Sequence, residues 1–123
     1  MPRIRDAIAL GTAPQAAQAL INMTGTVTGT GTGSQANGVL LSYANNDLVT
    51  ASSLDTFVLP TSAQGSVVGD VVYATTRSST SAVVYPGGAE TIVDSTSAKT
   101  VAQSKTAIFV RATSTNWGYL VTA

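Results

Sequence analysis

The sequence contains neither histidine nor cysteine, so any acid–base or ligand chemistry would rest on six carboxylates, Asp6, Asp47, Asp55, Asp70, Glu90 and Asp94, and on Lys99 and Lys105. That inventory excludes serine triads, cysteine nucleophiles paired with histidine, and zinc sites of the common kind. It leaves a carboxylate pair of the glycosidase type, a lysine base, or an oxygen-ligated Ca2+ or Mg2+. The spacing favours none of these. Each acid stands alone in sequence beside a turn signal, where an aspartate commonly bonds its own backbone. Asn45-Asn46-Asp47 puts oxygen ligands at adjacent positions rather than the alternate positions of a calcium loop, and reads as a turn. The glycine-rich stretches at 25–33 and 87–88 lack both the Lys-Ser/Thr ending and the strand-to-helix setting of phosphate loops. The expectation is a protein that is not an enzyme and carries no cofactor and no metal.

Aromatic residues offer a different chemistry, because sugar-binding surfaces use tryptophan and tyrosine as platforms. Tyr43, Tyr73, Tyr85, Trp117 and Tyr119 each fall in or beside an expected strand. The plain account is packing in the core and at its rim, with the hydroxyls and the indole N–H reaching a partner. The alternative is a glycan platform built on Trp117, Tyr119 and Tyr85.

The elements that would position these residues are almost all strands. Apolar, β-branched and aromatic residues recur in short blocks at 39–43, 48–49, 56–59, 71–74, 82–85, 107–111 and 117–121, with weaker blocks at 91–93 and 99–102. Turn signals separate them: Asn37-Gly38, Asn45 to Asp47, Pro60, Gly69, the polar run 77–81 and Pro86-Gly87-Gly88. Phe57 shares a face with Leu59, Val72 with Ala74, and Ile108 with Val110, while the unbroken apolar run 82–85 suggests a strand covered on both sides. Eight or nine strands without intervening helices predict an all-β sandwich, jelly roll or barrel. No internal repeat is strong enough to argue for a solenoid.

The N-terminal stretch differs. Residues 14–21, PQAAQALI, predict a short helix opened by Pro14, with Ile8, Leu10, Ala17, Leu20 and Ile21 as apolar contacts. The Thr/Gly run 24–33 is then an edge strand, an extended arm or a linker, in that order. The chain thus divides into an N-terminal arm, 1–23, and a β-domain, 24–123. Arg3, Arg5, Ile8 and Leu10 are the arm's candidate contacts to another subunit or a larger assembly.

Charge is sparse, at 10% of residues and zero net. No cationic cluster exists to displace phosphate counterions, so nucleic acid is not an expected partner. No apolar run approaches the length that spans a bilayer, and no signal peptide is evident, so a membrane is not expected either and synthesis in a cytoplasm is. Serine and threonine stand where surface charges usually do. A neutral chain with many strand edges invites association, so its edges are either covered or used.

From Phe57 onward the order FVLP (57–60), GDVVYATT (69–76), VVYPGGAETI (83–92), KTAIFVRA (105–112) and TNWGYLV (115–121) resembles a recurrent small β-domain of tailed-bacteriophage virion proteins. These include capsid decoration (cement) proteins and head-fibre or appendage proteins. TGTVTGTGTGSQANGVLL, upstream, resembles the Thr/Gly start of that domain, so the likeness covers about residues 24–123. One departure is Tyr73-Ala74-Thr75-Thr76, where the family often has asparagine. The resemblance implies a homotrimer attached to the major capsid protein at the virion surface, and it brings no catalytic residues. An appendage domain binding a host glycan is the alternative it leaves open, and a cell-surface or pilus-like module is a third, disfavoured by the missing signal peptide.

Overall fold

The computed structural model describes residues 24–31, 33–76 and 80–122. The expected helix over 14–21 and the arm residues Arg3, Arg5, Ile8 and Leu10 lie outside them. Ten strands follow one another: β1 (Thr24–Thr28), β2 (Val39–Leu40), β3 (Asn45–Val49), β4 (Thr56–Val58), β5 (Val71–Thr76), β6 (Ala82–Tyr85), β7 (Thr91–Ile92), β8 (Lys99–Val101), β9 (Thr106–Arg111) and β10 (Asn116–Val121). They form a six-stranded sheet, in the order β1-β3-β5-β9-β10-β7, and a four-stranded sheet, in the order β2-β4-β6-β8.

From β1 to β6 the chain alternates between the two sheets. β1, β3 and β5 run parallel in one, and β2, β4 and β6 run parallel in the other. Each circuit of the chain therefore lays one strand in each sheet, which is the path of a β-solenoid. After β6 the direction reverses. β8 pairs antiparallel with β6, β9 with β5 and β10 with β9, while β7 lies parallel to β10.

The all-β class and the two sheets are as expected, but the path is that of a β-solenoid and not clearly that of a sandwich, jelly roll or barrel. The sequence hides that path because the circuits are unequal in length. In the larger sheet Thr24 pairs with Asn45, a step of 21 (45 − 24), whereas Asn45 pairs with Tyr73, a step of 28 (73 − 45). In the smaller sheet the steps are 18 from Val39 to Phe57 (57 − 39) and 27 from Thr56 to Val83 (83 − 56). A coil whose circuits differ this much leaves no fixed period in the sequence.

Two turn signals resolve differently from their expectation. Asn37-Gly38 ends a single 3-10 turn, Gln35–Asn37, with Gly38 extended at φ −68° and ψ 146°. The strands on either side enter different sheets, so no hairpin forms there. Asn45 to Asp47 is not a turn but the start of β3. Asn46 is fully buried, and its side chain does what a turn's backbone would. Its Nδ2 donates to the Tyr43 carbonyl at 2.8 Å and to the Tyr73 carbonyl at 3.0 Å, and its Oδ1 accepts from the Tyr43 N–H at 3.2 Å. One side chain thus ties the corner before β3 to the next circuit of the coil.

The core lies between the sheets. Val27, Leu48, Val72, Ala74, Ala107, Phe109 and Trp117 face inward from the larger sheet, and Phe57, Ala82, Val84 and Val101 from the smaller. Strand β6 alternates, with Ala82 and Val84 buried and Val83 and Tyr85 half-buried, so its second side is only partly covered. β1 stands at the margin of its sheet, as the edge-strand reading of the Thr/Gly run expects.

Candidate interaction surface

Strand β9 breaks the usual sorting of side chains. Ala107, Phe109 and Arg111 face inward, while Thr106, Ile108 and Val110 face out. An arginine on the core side must have its donors satisfied, because an unpaired buried charge is expensive. Arg111 is 1% exposed and meets that demand with partners from three separate loops. Its Nε donates to the Ser66 hydroxyl at 2.8 Å, its Nη1 to the Ser114 carbonyl at 2.9 Å, and its Nη2 to the Pro60 carbonyl at 2.8 Å. Nη2 also reaches Glu90 Oε1 at 2.8 Å, closing an ion pair.

The other Glu90 oxygen accepts from the Ser62 backbone N–H at 2.8 Å and the Ser62 hydroxyl at 3.2 Å. Burial pushes the Glu90 pKa up, but the Ser62 N–H, the hydrogen bond and charge of Arg111, and the Ser62 hydroxyl together outweigh it, leaving the carboxyl below its ordinary value. Glu90 and Arg111 therefore form a structural clamp, in which both carboxylate oxygens are already bonded and the carboxyl is held ionised. Sequence spacing gave no sign of it, because the two residues meet only through the β7–β10 arrangement.

The alternative aromatic platform is not brought together. Trp117 is 0% exposed, with its ring under the Arg111 guanidinium at 4.6 Å. Its indole Nε1 is buried without a partner among the described residues. Tyr119 is half-buried against Phe109, ring centres 5.3 Å apart, and its hydroxyl donates to the Thr100 carbonyl at 3.2 Å. Burial raises its pKa. Tyr85 belongs to the other sheet and donates to the Gly33 carbonyl at 3.1 Å. The three rings share no exposed face, and the plain account of core and rim packing describes them better.

Most described acids are similarly occupied. Asp55 accepts from the Ala51 N–H at 2.6 Å, Asp70 from the Val67 N–H at 2.8 Å and the Ser66 hydroxyl at 3.1 Å, and Asp94 from the Asn116 amide at 3.1 Å. Asp55 and Asp70 thus bond nearby backbone, as their turn setting predicts. Among the described residues no three acids approach closely enough to hold a metal ion.

What the structure does present is the outer face of the six-stranded sheet. Tyr73 on β5 pairs with Ile108 on β9, which pairs with Leu120 on β10. In the next outward row Val71 pairs with Val110, which pairs with Gly118. Leu120 is 64% exposed, Tyr73 42% and Val110 41%. These side chains sit at adjacent positions on three hydrogen-bonded strands and so form one apolar patch. A threonine pair borders it, the Thr75 and Thr106 hydroxyls 2.9 Å apart. Sequence reasoning placed Ile108 and Val110 on one face without finding that this face is the outer one. The missed signal was Arg111, whose network fixes the strand's inward register.

No protein-family model matches this sequence, and no curated protein matches it significantly.

Proposed function

We propose that this chain is a structural protein of a tailed-bacteriophage virion, a decoration protein that sits on the capsid surface as a homotrimer and stabilises the shell against the major capsid protein. The observation that carries this reading is the apolar patch Tyr73–Ile108–Leu120 with Val71 and Val110, exposed on a rigid sheet. Exposed apolar patches of this kind mark association surfaces. No lysine or arginine lies on the outward positions of β5, β9 or β10, so the patch best fits an uncharged apolar partner, such as the apolar surface of a neighbouring copy in a ring. The sequence likeness to phage virion domains supports the setting, and the bonds that Asp55, Asp70, Glu90 and Asp94 make within the fold favour a structural over a catalytic role. The appendage reading, with a host glycan as ligand, has no exposed tryptophan to build on.

Light scattering across a dilution series tests the proposal. The expected mass is three times 12.4 kDa, falling to one times that value in Leu120→Glu. Shells assembled from the cognate major capsid protein are expected to melt at higher temperature with the protein bound. A monomer at every concentration that also leaves the shell's melting unchanged overturns it.

A further inference from the structure

Strand β7 ends in a tight turn that suits one of its two central residues and not the other. Ile92 and Ser95 exchange both backbone hydrogen bonds, at 2.8 and 3.1 Å, around Val93 and Asp94. Both central residues have positive φ, 50° for Val93 and 62° for Asp94, as a type I′ turn requires. Glycine and asparagine adopt that conformation readily, and aspartate tolerates it. Valine does not, because its branched Cβ crowds the carbonyl that follows. Val93 is the only β-branched residue with positive φ among the described residues.

The surroundings hold the turn in this form. Asn116 on β10 accepts the Asp94 N–H on its Oδ1 at 3.0 Å and donates from Nδ2 to Asp94 Oδ1 at 3.1 Å. The Thr91 hydroxyl donates to the same Asn116 Oδ1 at 2.9 Å, and the Val93 N–H donates to the Trp117 carbonyl at 2.8 Å. These bonds use the Asp94 side chain and backbone that other residues at 93 would also supply. The valine side chain itself gains no deep burial in return, since the residue is 55% exposed. An apolar side chain kept exposed at a strained position points to a contact outside the chain.

The place of Val93 continues the apolar patch. Its bond to Trp117 sets it beside Gly118, where the outward row Val71–Val110–Gly118 ends. β9 and β7 lie on opposite sides of β10, so Val110 and Val93 flank a backbone position that carries no side chain.

We infer that Val93 is a contact residue of the association surface, seated against a neighbouring copy of this chain, and that the free subunit retains the strained turn for this contact. The inference rests on the homotrimer proposed above. Charge selects the occupant. The row offers no lysine or arginine, the Asp94 carboxylate is engaged by the Asn116 amide, and the chain as a whole is neutral with 10% charged residues. Contact between copies therefore brings no unpaired charge to the row, and a ring repeats that contact once per subunit.

Substitution at this position separates contact from fold. Val93→Asn suits the turn and should raise the urea midpoint, measured at a dilution where each protein is monomeric. The same variant should raise the concentration for half-assembly at least tenfold. Val93→Ala keeps the unfavourable φ, so it should weaken assembly similarly without raising the midpoint. The chain has no cysteine, so Val93→Cys introduces a single thiol. Maleimide should label it slowly in the assembled protein and rapidly on dilution.

Two results overturn the inference while the homotrimer stands: a Val93→Asn trimer as tight as the parent's, or a thiol labelled equally fast at every concentration. Protection that appears only when shells are added would assign the turn to the major capsid protein instead. An unchanged midpoint in Val93→Asn would remove the strain from which the inference starts. A parent that is monomeric at every concentration overturns the homotrimer itself, and this contact with it.

Discussion

The Arg111 guanidinium carbon lies 4.6 Å from the centre of the Trp117 ring, and neither residue is more than 1% exposed. The largest side chain of the core is therefore stacked against the only fully buried cation among the described residues. Arg111 and Trp117 are directly opposite each other on β9 and β10, so the contact belongs to the sheet register itself. The charge is tolerable there because Glu90, Ser66 and two carbonyls surround it.

Removing either member of the clamp strands the other in a low-dielectric site. Arg111→Ala is expected to destabilise the fold by about 3–5 kcal/mol, because Glu90 is left without its counter-charge. Arg111→Lys should recover little of this, since an ammonium cannot reproduce the guanidinium's separate bonds to Ser66, Ser114 and Pro60. Urea unfolding checks both variants, and a loss under 1 kcal/mol in Arg111→Ala would show the clamp to be dispensable.

The same clamp predicts acid sensitivity. The folded-state pKa of Glu90 is depressed below its ordinary 4.5, so its contribution is fully present above that value and is lost as pH falls through the folded pKa. The melting temperature should therefore drop on acidification below about pH 4.5. Glu90→Gln should start lower at neutral pH and show a shallower acid slope. Parallel slopes for the two proteins would place the acid response elsewhere.

Much of the fold was legible in the sequence, because strands announce themselves locally. The blocks at 56–59, 71–74, 82–85, 107–111 and 117–121 all contain strands, as do the weaker ones at 91–93 and 99–102. Their pairing was not legible, since circuits of 21 and 28 residues in one sheet and 18 and 27 in the other repeat nothing a period search can find. The association surface was half legible. Alternation put Ile108 with Val110, but an apolar-inside rule assigns such a pair to the core, and only the buried bonds of Arg111 reverse that choice. Trp117 was legible as a packed ring, with a sugar platform as the alternative, but nothing in its neighbours reveals that an arginine will cover it.

Trp117 is the only tryptophan, so its fluorescence reports one environment. At 0% exposure it is expected to emit at short wavelength, to resist acrylamide quenching and to ignore added mono- or oligosaccharides. Sugar-dependent quenching would return the ring to a binding face and contradict the burial described here.

Glycines separate into those packed against neighbours and those in open space. A Cβ on Gly87 would stand 2.5 Å from Thr61 Cγ2 and 2.6 Å from the Leu59 carbonyl oxygen, one of them backbone that cannot step aside. Gly87→Ala should cost about 1–3 kcal/mol through forced displacement. Gly118→Ala is the control: its Cβ would meet only the Val110 carbonyl oxygen, at an ordinary 3.6 Å. Thermal melts should place the Gly118 variant within about 0.5 kcal/mol of the parent, as surface substitutions usually are. Equal losses at the two sites would show that the Pro86–Gly88 loop yields.

Asn46 gives the sharpest test of the coil, since its amide bridges two successive circuits. Asn46→Ala leaves the Tyr43 and Tyr73 carbonyls short of a donor, at about 1–3 kcal/mol for a buried group left unsatisfied. Asn46→Asp should be worse at neutral pH. An ionised carboxylate is an acceptor only, and it would face the same two carbonyls that now receive the amide hydrogens. Both that repulsion and the loss of water raise the aspartate's folded pKa, so its penalty is present above that pKa and is relieved as pH falls through it. Measured against the parent at each pH, the Asp variant should approach the Ala variant on going from pH 7 towards pH 4, as the protonated carboxyl regains one donor. An Asp variant as stable as the parent at pH 7 would mean that this corner of the solenoid is held by something other than the amide of Asn46.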